Sequence, residues 1–466
     1  MPLIIPANSA SASGGFNVAN SCRFNDGDSA SMSRDQSANN AGTNTKGNLS
    51  VWLKMSAAGT EQVIYTRETN TSNYFKVWFE NDKLLIQTVT SGSVAMKKET
   101  NRVFRDPSAW YNIVVILDST DGTAGDRQQI WINGVRETSF ASSTNIGSSS
   151  SFQINTGTGT DYIARRGSGN YYDGYMAELV WIDGTDYAAT LFGEFDEDSG
   201  IWKPIDVSGL TFGTNGFYLD FEDSSALGND AAGSNNFTVN NLTAIDQSTD
   251  TCTNNFATWN RLIPPTFSNH NLIDGNLTVE GETSSQNTAF STFAVSSGKW
   301  FCEMKLTVEG NSSSSVPNFG IASITDFRHA DSEAYYESSG TNIYAGAVNN
   351  SQINRNGSNS GTSLSTTPDV GDIMGLALDL DSGTKTLKFY LNGSLVGTVN
   401  INADEYCFIT AVKEDNNKAT VQGNFGGTNT YTVSSGNADG DGFGNFEYAV
   451  PSGYFALNTK NLAEYG

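Results

Sequence analysis

NYFKVWFE, at residues 73–80, alternates between two kinds of side chain with a period of two residues. One face of an extended chain would carry the apolar set, Phe75, Val77 and Phe79. The opposite face would carry Tyr74, Lys76 and Trp78. Such alternation is typical of a β-strand that packs one face against a core. The stretch therefore predicts a strand of a half-buried sheet.

Similar stretches surround it on both sides. Strand patterns bounded by polar or glycine-containing turns recur from residue 49 onward, as in LSVWLKM, EQVIYTRE, DKLLIQTV, YNIVVILD and RQQIWINGV. Residues 45–182 contain no sustained helical period. This pattern predicts a β-sandwich built from a meander of hairpins. An Asn-Gly turn follows one strand at IWINGV and another at FYLNGS, and this dipeptide is the strongest local signal for a hairpin.

The chain divides into three parts on sequence grounds. The prolines of LIPPT, at residues 262–266, end any ladder and mark the clearest boundary. We expect a first sandwich with an N-terminal arm over residues 1–185, a connector over 186–262 and a second sandwich over 263–466. The connector would contain a short helix in TDYAATLFGEF and a repeat of the strand that ends in Phe24, at Phe221. The predicted fold class is all-β, with two jelly-roll sandwiches and a short structured connector.

Charge and composition limit the partners. The chain has 26 basic and 50 acidic residues in 466, which gives a formal net charge of −24. A surface of this sign repels phosphate backbones and anionic lipids, so neither nucleic acid nor membrane insertion is expected. The opening MPLIIPANSASASGG lacks a basic region, and we expect neither a signal peptide nor a membrane span. The cysteines Cys22, Cys252, Cys302 and Cys407 are widely spaced, which favours buried free thiols over a disulfide or a zinc motif.

Two family resemblances follow from these motifs. WYNIVVILD, IWINGVRE and GYMAELVWIDG resemble strands of the laminin G-like, concanavalin A-like sandwich. SSGKWFCEMKL, VGDIMGLALDLDSGTKTLKFYLNGSLVGTV and CFITAVKEDNNKATVQGNFG resemble a SPRY domain, in the order in which that family carries its motifs. Together the resemblances cover most of the chain. They imply that both sandwiches have a concanavalin A-like architecture.

Segments in the predicted connector and at the end of the chain carry a third resemblance. Three segments are similar to sequence segments in virion appendage proteins of tailed phages, especially marine ones: FGEFDEDSGIWKP, CTNNFATWNRL and GNADGDGFGNFEYAVPSGYFALNTKNL. This resemblance implies a structural and adhesive role, as a tail fibre or a head-surface fibre or decoration. It also implies synthesis in the host cytoplasm, a place on the virion surface, a homo-oligomer, other virion proteins as partners and host-surface glycan or protein as a ligand. We expect the polar start of the chain to dock on the particle.

NADGDGFG, at residues 437–444, matches the first half of a calcium loop. Asn437, Asp439 and Asp441 precede Gly442 at the spacing of such loops, and Ca²⁺ prefers oxygen ligands of this kind. The twelfth position holds Tyr448 instead of a bidentate Glu. A glycine-rich surface turn explains the same letters. We expect no cofactor, with Ca²⁺ at these residues as the alternative.

Catalytic patterns are weak. The chain has two histidines, His270 and His329, and lacks the nucleophile, zinc-peptidase and phosphate-loop motifs, so no enzyme activity is expected. EFDED is the exception, because Glu194, Asp196 and Asp198 alternate as the acids of concanavalin-type glucanases do. A carbohydrate-active enzyme that uses these acids, and a free SPRY-type interaction module, remain as alternative functions.

Ligand contacts are expected on loops, since the sandwich is rigid and loops carry specificity. YIARRGSGNYYDG, at residues 162–174, places a basic pair beside tyrosines, which suits glycan hydroxyls and ring faces. The candidate residues of this loop are Arg165, Arg166, Asn170, Tyr171 and Tyr172. A second candidate loop, DFRHADSEAYY, offers Arg328, His329, Tyr335 and Tyr336. The alternatives are an ion-paired surface, a subunit contact and an ordinary loop.

Overall fold

A computed structural model of the chain describes residues 15–36, 42–262, 270–281, 287–309, 317–324, 343–347, 351–355, 358–412 and 418–466. These residues form two compact units that divide between Thr253 and Asn254. The predicted all-β class is confirmed. Helical structure in the described residues includes only short segments: 3-10 helices at Asp26–Asp28, Ala189–Leu191 and Ala244–Asp246, and helix α1 (Thr459–Tyr465). No helix in these ranges is long and apolar enough to cross a membrane.

The first unit is built from short strands separated by tight turns. In chain order they are β1 (Ser21–Phe24), β2 (Ser31–Asp35), β3 (Lys46–Met55), β4 (Gln62–Asn70), β5 (Asn73–Glu80), β6 (Lys83–Thr90), β7 (Ser93–Val103), β8 (Trp110–Asp118), β9 (Gln128–Ile132), β10 (Val135–Arg136), β11 (Phe140–Thr144), β12 (Thr160–Ile163), β13 (Gly174–Asp183), β14 (Glu194–Phe195), β15 (Trp202–Lys203), β16 (Phe217–Leu219), β17 (Thr238–Asn240) and β18 (Gln247–Ser248).

Two antiparallel sheets of this unit form the predicted sandwich. One has the order β10-β9-β8-β3-β13-β1-β18, with β16 also paired to β13, and the other has the order β11-β7-β6-β5-β4-β12-β2-β17. Strand β5 follows the predicted alternation. Phe75, Val77 and Phe79 are fully buried in the core between the sheets, where they meet side chains such as Leu53 and Trp181 of the facing sheet. The opposite face of β5 is therefore the outer face of the sandwich.

The segment that we predicted as a connector belongs largely to the first sandwich. Strands β16 and β18 lie in one sheet and β17 in the other, so the unit continues to Thr253. The predicted boundaries at 185 and 262 differ from this division because the three strands add edges to sheets formed earlier in the chain. Both copies of the repeated strand motif pair with β13: β1 at Gly174–Met176 and β16 at Leu179–Trp181. The predicted helix is reduced to the 3-10 turn Ala189–Leu191.

The second unit contains a second sandwich. Its strands are β19 (His270–Ile273), β20 (Thr278–Gly281), β21 (Asn287–Phe290), β22 (Lys299–Val308), β23 (Asn318–Ser323), β24 (Ile343–Ala347), β25 (Gln352–Arg355), β26 (Ser358–Ser363), β27 (Ile373–Asp379), β28 (Thr386–Leu391), β29 (Ser394–Asn400), β30 (Tyr406–Val412), β31 (Thr420–Asn424) and β32 (Phe455–Ala456). One sheet has the order β19-β20-β31-β22-β27-β28-β29, with β32 paired to β22, and the other β21-β30-β23-β24-β25-β26.

Both predicted Asn-Gly hairpins are confirmed. Asn133 and Gly134 have φ angles of 47° and 74°, and Asn392 and Gly393 have 48° and 77°. Two successive positive φ angles are what a two-residue hairpin turn of the primed type requires. The cysteines are free thiols, of which Cys252 is half-buried and the other three are buried, as the sequence predicts.

The C-terminal segment of the second unit covers the outer face of its larger sheet. Phe446 and Tyr454 pack with Phe301 and Ala377 of that sheet. A buried carboxylate fixes the segment, because Glu303 of β22 accepts hydrogen bonds from the backbone N–H groups of Glu447, at 2.9 Å, and Tyr448, at 2.8 Å. This sheet face is thus occupied by the unit's own chain.

Candidate functional site

The outer face of the β4-β5-β12 sheet in the first unit combines aromatic rings with cations. Strand β5 contributes three of the side chains, and β12 with the turn that follows it contributes the others. We call this surface the aromatic–cation face; it consists of Tyr74, Lys76, Trp78, Tyr162, Arg165 and Arg166. The register places Tyr162 opposite Thr66 of β4, and Tyr74 opposite Glu68 of the same strand. Residues more than eighty positions apart in sequence are thereby brought together.

Each cation of the face lies over an aromatic ring. The guanidinium carbon of Arg166 is 3.7 Å from the centroid of Tyr74, and that of Arg165 is 4.4 Å from the centroid of Tyr162. The amine of Lys76 is 3.9 Å from the centroid of Trp78. Contacts of this type contribute about 0.5–2 kcal/mol each, more where water is excluded. They hold these side chains in one position, with Lys76 and Trp78 buried and the two arginines half-buried.

Carboxylates balance part of this charge. Glu68 Oε2 lies 3.5 Å from Arg166 Nε, and Glu61 pairs with Lys76. Burial lowers the pKa of the Lys76 amine, an effect that the hydrogen bond to Glu61 opposes. Glu80 accepts a hydrogen bond from the indole N–H of Trp78 at 3.3 Å. The face is therefore a mixed array of donors, acceptors and ring surfaces, which suits a ligand with many hydroxyl groups.

The turn that carries the arginines is tied to the sheet by backbone hydrogen bonds. Arg166 and Gly169 exchange two such bonds, both of 3.2 Å, across a turn in which Gly167 has a φ of 59°. Asn170, with a φ of 57°, accepts a hydrogen bond of 3.0 Å from the N–H of Val63 in β4. The position of the turn is thus fixed by the chain itself, and the arginines stand on a rigid support.

The structure leaves four of the five predicted residues of this loop at least partly exposed and buries the fifth. Arg165, Arg166 and Tyr171 are half-buried and Asn170 is exposed, so these four can contact a ligand. Tyr172 cannot, because it is fully buried and its hydroxyl donates a 3.1 Å hydrogen bond to the backbone oxygen of Lys54. Burial also raises the pKa of Tyr172 well above its ordinary value. The prediction of Tyr172 as a contact residue is corrected: it is part of the core.

Sequence reasoning missed the strand half of the face. Tyr74, Lys76, Trp78 and Tyr162 were not among the candidates, although the alternation in β5 had placed the first three on one outer face. That alternation was the available signal. The second predicted loop, with Arg328, His329, Tyr335 and Tyr336, lies outside the described residues, as does the N-terminal arm up to residue 14.

The residues of the predicted calcium motif form a tight structural turn. Oδ1 of Asp439 accepts hydrogen bonds from the backbone N–H groups of Asp441, at 3.0 Å, and Phe443, at 2.9 Å. Its Oδ2 accepts from the N–H of Ala456, at 2.9 Å, and the side-chain amide of Asn461, at 2.8 Å. Four N–H donors surround one carboxylate, and they hold the turn in its geometry. The expectation of no cofactor, with Ca²⁺ at these residues as the alternative, stays a prediction.

Asn437 and Asp441 flank this carboxylate but have other contacts. The side-chain amide of Asn437 donates to the backbone oxygen of Glu447 at 2.9 Å. Asp441 accepts a hydrogen bond from Tyr465, and this bond raises the pKa of that tyrosine. Each of the three predicted ligands therefore already has a partner within the second unit.

The acids of EFDED form a surface hairpin between β14 and β15. Oδ1 of Asp196 accepts hydrogen bonds from the backbone N–H and the hydroxyl of Ser199, both at 2.9 Å, and these bonds lower the pKa of Asp196 to about 2. Lys203 lies 3.4 Å from Glu194 and 3.1 Å from Asp196. A carboxyl group with so low a pKa does not supply a proton at neutral pH. The contacts are those of an ordered turn.

Comparison with known proteins agrees with the fold of the first unit. Residues 25–189 match the family described as the concanavalin A-like lectin/glucanases superfamily. The first unit thus contains a concanavalin A-like domain of the laminin G type. A comparison with curated proteins gave no match.

Several solved structures are similar to the chain. They include domains LG4-5 of the mouse laminin α1 chain, with 10% identity over 86% of this chain and 84% of that one and a TM-score of 0.29. The SPRY domain of human HERC1 is similar with 12% identity over 35% of this chain and 94% of that one, and a TM-score of 0.28. Domain 4 of a GH43 extracellular arabinanase from Geobacillus stearothermophilus, in complex with arabinotriose, is similar with 12% identity over 31% of this chain and 64% of that one, and a TM-score of 0.23.

Proposed function

We propose that the protein is a non-enzymatic virion surface protein of a tailed phage, and that its first unit binds glycan on the host surface. The observation that carries the binding role is the aromatic–cation face on a concanavalin A-like sandwich. The stacked arginines offer N–H donors to the hydroxyl groups of sugars, and the half-buried rings of Tyr74 and Tyr162 hold these donors in place.

The resemblance of the joining segments to phage appendage proteins supports the virion role. FGEFDEDSGIWKP, which carries that resemblance, forms the hairpin β14–β15 on the first unit. The acids of this hairpin are held by Ser199 and Lys203, which supports a structural use of the segment rather than catalysis. The proposed assignment is therefore an adhesive appendage, in the tail or on the head.

Binding of the full-length protein to an array of bacterial surface polysaccharides tests the glycan role. We expect Tyr74→Ala to weaken binding by roughly tenfold, since loss of a stacked ring and its cation contact costs about 1–2 kcal/mol. Arg136→Ala is a matched control on the same unit, because Arg136 pairs with Asp126 away from the face. Equal binding by all three proteins would remove the face from the proposal.

Mass spectrometry of purified phage particles tests the virion role separately. We expect peptides of the chain at a stoichiometry that matches a repeated particle position. Their absence from particles, together with an abundant free protein in infected cells, would favour the free interaction module instead.

A further inference from the structure

Arg165 differs from most arginines of the first unit in forming no ion pair with any residue that the structure describes. Those that form ion pairs with carboxylates are Arg23, Arg34, Arg67, Arg102, Arg105, Arg136 and Arg166. Arg127 instead donates to two backbone carbonyl oxygens. Arg165 has no ion pair within the part of the chain that the structure describes, although the protein carries nearly twice as many acidic as basic residues.

The Arg165 side chain is nevertheless held in place. Its guanidinium lies over the ring of Tyr162 at 4.4 Å, and its Nη1 donates to the backbone oxygen of Gly167. These two contacts fix the plane and the rotation of the group. Nη2 and the second hydrogen of Nη1 make no hydrogen bond to the described residues. A planar pair of N–H donors in this arrangement matches the two oxygens of a carboxylate or phosphate.

Lys76 and Arg166 of the aromatic–cation face each pair with a carboxylate, whereas Arg165 has no such pair in the described residues. Arg166 is balanced in part by Glu68, and Lys76, which the register places level with Tyr162 across β4, pairs with Glu61. An anion that approaches a chain of charge −24 meets repulsion from most of its surface. At contact distance the unpaired cation dominates, because salt screens charges beyond about 8 Å.

The rings of Tyr162 and Tyr74 each carry one of the two stacked guanidinium groups. The two rings stand on strands that flank β4, so they are separated by two strand spacings, roughly 10 Å across the sheet. We propose that the face binds glycans that carry an acidic substituent, a carboxylate or a phosphate, with Arg165 as the anchor of the acidic group. This inference rests on the proposed glycan-binding role and adds the chemical class of the ligand.

The test compares an acidic glycan with its neutral ester and adds a second acidic glycan that carries phosphate. Full-length protein is titrated with oligogalacturonate, with its methyl ester, which has the same sugar chain without the charge, and with a phosphorylated mannan. We expect binding of one or both acidic probes at least roughly tenfold tighter than that of the ester, as a charge-assisted hydrogen-bond pair contributes about 1.5–3 kcal/mol. The two acidic probes show whether the substituent is carboxylate or phosphate.

Variants separate the anchor from the rest of the face. Arg165→Gln is expected to bring the affinity for the acidic probe down to that for the ester, and Arg165→Lys to give an intermediate value because a lysine lacks the planar fork. Arg136→Gln, which removes the same charge elsewhere on the unit, is expected to change nothing. Thermal unfolding midpoints of all variants confirm that they fold.

The outcomes distinguish the inference from the proposed function. Equal affinity for the acidic probes and the ester, or an equal loss for both in Arg165→Gln, would overturn the acidic class and leave glycan binding in place. No binding of any of the three probes by the wild-type protein would overturn both.

Discussion

At the scale of single residues, the strand that carries Tyr162 is fixed from the core side by a buried charge cluster. Asp161 accepts hydrogen bonds from Arg34 Nε, at 3.2 Å, from the hydroxyl of Tyr65, at 2.9 Å, and from Gln36, and it lies 3.6 Å from Arg67 Nε. The side chains of Asp161 and Arg67 have no exposed surface. One carboxylate therefore supplies the counter-charge for two guanidinium groups, those of Arg34 and Arg67.

Replacement of that carboxylate is expected to destabilise the first unit strongly. Asp161→Asn keeps the shape but leaves two buried cations without their counter-charge, for which a loss of about 3–5 kcal/mol is expected. Glu99→Gln is the control, because Glu99 pairs with Lys83 and Lys97 in half-exposed positions where a loss below about 1 kcal/mol is expected. Urea denaturation, followed by tryptophan fluorescence, measures the free energy of unfolding of both variants. Similar losses in the two variants would contradict the idea that burial makes the Asp161 carboxylate more important than the Glu99 carboxylate.

A second buried carboxyl group links stability to pH. Burial raises the pKa of Glu178 from 4.5 to about 7, a rise that the hydrogen bond from Tyr218, of 2.6 Å, opposes only in part. Because the pKa in the folded state exceeds that in the unfolded state, the folded protein favours the protonated form. The stabilising contribution is complete below pH 4.5 and disappears as the pH rises through 7.

Glu178→Gln isolates this effect. A glutamine resembles the protonated carboxyl, so the variant is expected to match the wild type at about pH 4.5 and to exceed its stability by about 3 kcal/mol at about pH 8. The positive φ of residue 178, 49°, is common to both proteins and cancels in the comparison. Denaturation curves across this pH range would contradict the prediction if the difference stayed constant.

Residue-scale burial is also where sequence reasoning was weakest. Tyr171 and Tyr172 are adjacent in one loop and were given the same role, yet only Tyr172 enters the core. A loop has no period that assigns its side chains to one face, unlike β5, where alternation separated Phe75 from Tyr74. Which tyrosine was buried depended on Lys54, more than a hundred residues earlier in the chain.

At the scale of elements, the Asn133-Gly134 turn is fixed by more than its backbone angles. A Cβ atom added at Gly134 would overlap the ring of Trp202, whose indole N–H donates to the side chain of Asn112 at 3.0 Å. The hairpin β9–β10 and the strand β15 therefore pack directly against each other. The sequence showed the turn, but not the tryptophan that covers it, because that contact joins distant parts of the chain.

A comparison of alanine variants at two glycines with similar φ angles separates the effect of backbone strain from that of side-chain packing. Gly134 has a φ of 74° and Gly59 a φ of 77°, but a Cβ added at Gly59 would have no atom within 4 Å. Both alanine variants bear the cost of a positive φ, and only Gly134→Ala adds overlap with a ring. We expect it to lose about 1–3 kcal/mol more than Gly59→Ala. Equal losses of stability for the two variants in thermal denaturation would show that the ring of Trp202 moves aside without an energetic cost.

The Asp439 turn gives an element-scale test of calcium binding. Since both oxygens of Asp439 already accept two N–H donors each, we expect neither added Ca²⁺ nor EDTA to move the unfolding midpoint of the second unit. A ligand that binds only the native state at a hundred times its Kd would add about 2.7 kcal/mol. A Ca²⁺-dependent rise that Asp441→Asn abolishes would establish the site instead.

At the scale of the whole molecule, the fold class was readable from the sequence and the domain boundary was not. Alternation and turn residues predicted two sandwiches, because these signals are local. The strands β16, β17 and β18 were placed in a connector, since each is two or three residues long and carries no period of its own. Their place is decided by pairing with β13, β2 and β1, which are far away in sequence.

The charge of the whole chain bears on its assembly. A virion position is repeated by symmetry, so the appendage proposal requires a closed homo-oligomer, and copies that each carry a charge of −24 repel one another unless an interface offsets that repulsion. Salt screens such repulsion, with a Debye length of about 10 Å at 0.1 M and about 3 Å at 1 M. We expect light scattering of the full-length protein to give a small integral multiple of 49.9 kDa, and the oligomer to persist or strengthen as salt is raised. A monomer at every salt concentration, from a protein also absent from particles, would contradict the appendage role and favour a free binding module.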